Sequence, residues 1–121
     1  MRTATSPIAV ANRTAAKAAA WAQKHGGRAD ATAREAAQGA EFVMCCVGND
    51  DDLRSVCLGP DGAFAGMEKG AVFVDHTTVS AAVTRELASI AGDSGFGFVD
   101  APVSGGQAGA ENGQLSVMCG G

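Results

Sequence analysis

Two short apolar runs constrain this chain most: Phe-Val-Met-Cys-Cys-Val at residues 42–47 and Ala-Val-Phe-Val at residues 71–74. Neither alternates apolar with polar residues. A strand with one wet face repeats with a period of two, so an unbroken apolar run predicts a strand buried on both faces. Such strands occur in parallel sheets covered by helices on either side.

The segments between the strands fit that scheme. Residues 8–11 and 96–99 are further strand candidates, and residues 115–118 one more. Thr14 is placed to cap a helix over residues 15–25, with Lys24 and His25 at its C-terminal dipole and Gly26 to close it. Residues 32–38 predict a short helix stopped by Gly39. Asn49 precedes three aspartates, Asp50, Asp51 and Asp52, which suit the first turn of a helix ending near Gly59-Pro60. Residues 80–91 predict another helix. Trp21 is expected to pack its helix on the sheet. Strands and helices in strict alternation indicate βαβ units, so the fold class is α/β with a doubly wound, mostly parallel sheet.

In such sheets ligands lie beyond the carboxyl ends of the strands. The residues there are Asn12, Arg13 and Thr14; then Val47, Gly48 and Asn49; then His76, Thr77 and Thr78; then Pro102, Val103, Ser104, Gly105 and Gly106. The last group ends an apolar strand in a turn whose backbone N–H groups suit an anion. An arginine after an early strand can pair with a nucleotide 2′-phosphate, where an acidic residue would hold the 2′-hydroxyl. Taken alone, Arg13 reads more simply as a solvated arginine beside a helix cap. Thr77 and Thr78 can reach a ribose or carboxamide oxygen, but capping the next helix is the simpler role. His76 reads as a hydrogen-bonded structural residue rather than a general base. Successive helical residues diverge by about 100°, so the three aspartates cannot converge on one metal ion.

Composition excludes several classes. The chain has 121 residues, enough for one domain, and 46% are apolar, which argues against disorder. A net charge of −4 without a basic patch excludes nucleic acid as the expected partner. No apolar run is long enough to cross a membrane. Residues 1–7 are polar and too short for a signal peptide, so a cytoplasmic protein is expected. Cys45, Cys46, Cys57 and Cys119 fit neither a zinc pattern nor a disulfide framework and are expected to be buried thiols.

Four motifs occur in order: Asn12-Arg13-Thr14, Val47-Gly48-Asn49-Asp50-Asp51-Asp52, Val74-Asp75-His76-Thr77-Thr78, and Asp100-Ala-Pro-Val-Ser-Gly-Gly106 continuing through Gly113, Leu115, Met118, Gly120 and Gly121. With them the chain resembles the β-hydroxyacid dehydrogenases, in particular the 3-hydroxyisobutyrate dehydrogenase-like members. The resemblance implies a partial Rossmann-type domain of the 6-phosphogluconate dehydrogenase type over residues 1–121. It implies NADP, or else NAD, as cofactor. The substrate it implies is a small 3-hydroxy acid, oxidised by hydride transfer to the nicotinamide. It places Asn12, Arg13, Thr14, Val47, Gly48, Asp52 and Thr78 at the cofactor, and Ser104, Gly105 and Gly106 at the substrate carboxylate. It also implies a homo-oligomer for full-length members.

Two family features are missing from these 121 residues. No G-x-G-x-x-G turn precedes residues 8–11, and Lys17, Lys24 and Lys69 do not stand where the family's catalytic lysine would. The expectation is therefore an incomplete copy, inactive by itself, with no catalytic residue of its own. In the usual strand order 3-2-1-4-5-6 the first strand lies between residues 8–11 and 42–47. Without it, the strand at 8–11 either slides over to pair with 42–47 or separates with its helix. The alternative function is a non-catalytic module that binds a carboxylate or a partner subunit through its open edges.

Overall fold

Three strands in parallel register hold the centre of the molecule. The computed structural model describes residues 8–120. β3 (Phe42–Cys45), β4 (Val72–Asp75) and β5 (Gly97–Asp100) form one sheet in the order β3-β4-β5. Their partners run Phe42 to Val72 to Gly97 and Cys45 to Asp75 to Asp100, so the three strands end level. Helix α3 (Asp50–Cys57) links β3 towards β4 by way of the short α4 (Ala63–Gly66), and α5 (Ala81–Ser94) links β4 to β5.

The core lies under this sheet. Phe73 is almost fully buried, with Phe64 edge-on at 5.4 Å and Phe98 stacked at 5.6 Å between ring centroids. Leu53 and Cys57 of α3 and Val83 and Leu87 of α5 have no exposed surface. Their spacings of four residues keep each pair on one helix face. Outside the core, Arg54 Nε donates to Glu86 Oε2 at 3.0 Å and ties α3 to α5.

The caps explain where the helices start. Asn49 Oδ1 accepts from the Asp52 N–H at 2.8 Å, as the sequence predicts. Helix α2 (Ala33–Ala37) opens with a reciprocal pair: the Glu35 N–H donates to Thr32 Oγ1, which in turn donates to Glu35 Oε1, both at 3.1 Å. The cap of α5 is Ser80, whose Oγ accepts from the Val83 N–H, and not Thr77 or Thr78. Gly26 and Gly95 close α1 (Ala15–His25) and α5 at φ of 78° and 88°, the left-handed region that favours glycine.

A second, smaller unit precedes the sheet. β1 (Ala9–Val10) pairs in parallel with β2 (Arg28–Ala29), and α1 joins them. β1 does not slide onto β3: among the described residues the two belong to different sheets. Trp21 is half-buried over Gly27, where an added Cβ would lie 2.8 Å from the indole. β2 escapes a reading of apolar periodicity because it is two exposed residues held by backbone bonds, Arg28 N–H to Ile8 O and Asp30 N–H to Val10 O.

Several expectations need correction. The run 42–47 is not buried on both faces: Phe42 is 60% and Met44 68% exposed. β3 is the edge of its sheet, and no described residue covers the face that carries these two side chains. Cys45 and Cys57 are buried, but Cys46 and Cys119 are exposed, because both lie past strand ends rather than within them. The mostly parallel arrangement is as expected in the β1-β2 and β3-β4-β5 sheets, and an antiparallel pair follows β5. β6 (Val103–Ser104) and β7 (Ser116–Val117) pair antiparallel around α6 (Gly106–Glu111). Residues 1–7 and Gly121 lie outside the described residues.

Candidate functional site

The level ends of β3 and β4 and the end of β1 open on one side. A cleft of about 490 Å³ there is lined by Asn12, Arg13, Thr14 and Lys17 from the first unit and by Cys46, Val47, Gly48 and Asp52 from the second. It brings together six of the seven residues expected at a cofactor. The seventh, Thr78, lines a neighbouring cleft of about 500 Å³ with Asn49, Asp50 and Arg54. Gly48 borders both. A Cβ at Gly48 would stand 3.1 Å from an Asp52 carboxylate oxygen, so the turn passes close to the head of α3.

The first unit points cations into the cleft. Asn12 Oδ1 accepts the Thr14 N–H at 2.8 Å, which bends the chain from β1 into α1. Arg13 then projects with its side chain 86% exposed, and its Nη1 meets Asp52 Oδ1 at 3.2 Å. Exposed ion pairs are weak, so this contact does little to fix the guanidinium in place. Lys17, which no motif marks as a cleft residue, lines the cleft as well. It stands in the first turn of α1, while Arg13 precedes the helix cap, so no helical spacing links the two in the sequence.

The second unit supplies a rigid wall. At the end of β4, Asp75 is fully buried, and its Oδ1 accepts the Thr77 N–H at 2.9 Å. Thr77 Oγ1 accepts the Val47 N–H at 3.0 Å, which links the β4 end to the turn after β3. His76 Nδ1 lies 2.8 Å from the Ala101 carbonyl, the structural role expected of it. Burial, then the Asp75 charge, pushes the Cys45 thiol up to about 12, so it stays a neutral thiol. Burial also raises the Cys57 thiol, with smaller contributions from its neighbours Cys45 and then Asp75. Burial, then Asp75, also raises the Asp100 carboxyl above its usual range. On the outer side, Asp50 accepts from the Ser80 hydroxyl at 2.6 Å and from its N–H at 2.9 Å. These bonds hold its carboxyl below the usual range.

Ser104, Gly105 and Gly106 do not join either cleft. They sit exposed where β6 turns into α6, with Gly105 and Gly106 at φ of 126° and 62°. Only glycine adopts both angles without strain. The excursion is pinned at its base by two backbone bonds between Asp100 and Gly120, at 2.7 and 2.8 Å.

A parallel sheet whose strand ends frame a polar cleft defines a Rossmann-type dinucleotide-binding domain. The chain belongs to the family of the NAD binding domain of 6-phosphogluconate dehydrogenase, whose model matches residues 1–121. It is 56% identical over 114 residues to an uncharacterised oxidoreductase of Shewanella frigidimarina, covering 94% of this chain and 39% of that protein. It is 40% identical over 99 residues to the probable 3-hydroxyisobutyrate dehydrogenase-like 2 of Arabidopsis thaliana, covering 82% of this chain and 33% of that one. Among solved structures, the Mycobacterium tuberculosis 3-hydroxyisobutyrate dehydrogenase with L-serine superposes with a TM-score of 0.80 at 32% identity, over 89% of this chain and 36% of the other. The chain thus spans about two fifths or less of the relatives it matches. Among the described residues no helix is long and apolar enough to cross a membrane.

Proposed function

We propose that the chain is the NADP-preferring fragment of a dehydrogenase that oxidises a small 3-hydroxy acid. The observation that carries this reading is the convergence of Arg13 and Lys17 with Gly48 on one cleft at the strand ends. Asn12, Arg13, Thr14 and Lys17 hold the adenosine phosphate end. Val47, Gly48 and Asp52 flank the dinucleotide, and Thr78 reaches it from the adjoining cleft. The polar lining and the bare backbone at Gly48 fit such a ligand. When bound, the nicotinamide accepts a hydride from the substrate.

Ser104, Gly105 and Gly106 receive the substrate carboxylate. Two left-handed glycines in an exposed turn support this, because they leave the backbone open to an anion. The 3-hydroxyisobutyrate dehydrogenase relatives support the choice of acid. The proton of the alcohol needs an acid/base group near that turn, and none of the three lysines stands there. Lys17 faces the first cleft, Lys24 lies in α1, and Lys69 precedes β4 at the opposite end of the sheet. These 121 residues by themselves are expected to turn over no hydroxy acid.

Titration with NADPH and NADH tests the cofactor half. The wild-type chain binds NADPH more tightly, and Arg13→Ala weakens NADPH by about tenfold while leaving NADH nearly unchanged. Equal loss for both nucleotides would remove Arg13 from the 2′-phosphate.

A further inference from the structure

The cleft residues do not explain Asp75. A carboxylate with no exposed surface is costly beside Phe73 and Cys45, and its Oδ2 has no hydrogen-bond partner among the described residues. An apolar side chain of similar size would serve packing as well or better. Its one bond goes to the Thr77 N–H, and Thr77, only 2% exposed, spends its hydroxyl on the Val47 N–H. Neither residue lines either of the two clefts described above. Neither caps α5, since Ser80 does.

The three residues 75–77 clamp three strand ends at once. The His76 N–H donates to Cys45 O at 2.7 Å, the Ala101 N–H donates to Asp75 O at 2.8 Å, and Thr77 reaches across to Val47. What the clamp holds is the turn of Val47, Gly48 and Asn49, which separates the two clefts.

We propose that Asp75 and Thr77 are a positioning pair: Asp75 sets the Thr77 backbone, Thr77 sets the Val47–Gly48–Asn49 turn, and the turn so held determines how tightly a dinucleotide phosphate backbone is bound. The proposal rests on the dinucleotide reading above. Its first half, the clamp, exists without any ligand.

The test uses the whole 121-residue chain and two readouts. Amide hydrogen exchange without nucleotide reads the clamp, and NADPH titration reads its consequence. Thr77→Val keeps the shape and removes the acceptor. It speeds exchange at Val47 by about tenfold with Phe73 unchanged, and weakens NADPH by about tenfold. Thr77→Ser, which retains the oxygen, restores both, and so does Asp75→Asn, which retains an acceptor for the Thr77 N–H. Val83→Ala, a core truncation away from the turn, lowers the melting temperature without changing NADPH affinity. An unmoved Val47 amide in Thr77→Val overturns the clamp. A Thr77→Ser variant as weak as Thr77→Val overturns the role of the hydroxyl. A Val83→Ala variant that loses as much affinity as Thr77→Val reduces the pair to general stability. A wild-type chain that does not bind NADPH overturns the dinucleotide reading and the affinity half together, while the exchange arm still decides the clamp.

Discussion

The sheet β3-β4-β5 and the unit β1-α1-β2 are both built of parallel strands joined by a helix, yet they are held together differently. Behind the first lie Leu53, Cys57, Phe73, Val83, Leu87 and Ala91, each with 1% or less of its surface exposed. The eleven residues of α1 bury one side chain, Ala18. The first region has a core, whereas the second has a backbone ladder and a half-buried tryptophan. The cleft lies where they meet, with a firm wall carrying Gly48 on one side and a loosely seated limb carrying Arg13 and Lys17 on the other. A cleft of that kind draws its shape from the sheet and its charge from the limb.

Phe73→Ala attacks the stronger side. Loss of a buried ring central to an aromatic cluster costs about 3–5 kcal/mol, a large part of the stability of a domain this size. Denaturant unfolding should show the whole chain melting earlier; a loss confined to β4 would mean the sheet is not a single cooperative block. Trp21→Ala attacks the weaker side. A half-buried ring contributes about 1–2 kcal/mol, and the loss should appear as faster amide exchange over residues 9–29 with β4 protection unchanged. Equal loss in both regions would erase the distinction.

Ser80→Ala is expected to cost about 1 kcal/mol, through the lost cap of α5 and the lost bond to Asp50, again by denaturant unfolding. The smallest effect is that of acid. Bonds from Ser80 hold the folded Asp50 carboxyl below its unfolded range, so its contribution is present above about pH 4 and is lost as the pH falls through the folded value. Titration followed by NMR should show the Asp50 carboxyl protonating at a lower pH in the wild-type chain than in Ser80→Ala.

The parts legible in the sequence follow the same division. β4 and β5 and the Gly26 end of α1 could be read because apolar runs and a closing glycine act locally, whereas Thr14 stands at the head of α1 without the side-chain capping bond expected of it. The three aspartates at the start of α3 and the Asn49 cap were legible for that reason too. β2 was not, because Arg28 and Ala29 carry no apolar signal and are placed by Ile8 and Val10. α4 was not, because its four residues, Ala-Phe-Ala-Gly, are too few to show a helical period and are set by tertiary packing: a Cβ at Gly66 would collide with the Arg34 carbonyl. The exposure of Phe42 and Met44 depends on what covers β3, which the composition of the run does not encode. At the site, Arg13, Gly48 and Asp52 emerged from motifs. The role of Thr77 did not, because its partner Val47 is thirty residues away, and the nearby helix start made a cap the simpler expectation.

Amide hydrogen exchange of the chain with and without NADPH tests most directly whether the two regions act together. The account predicts added protection in residues 12–17 of the limb and in residues 47–49 of the sheet at the same nucleotide concentration, with residues 104–106 unchanged. Protection of only one of the first two segments, or of residues 104–106 in their place, would contradict it.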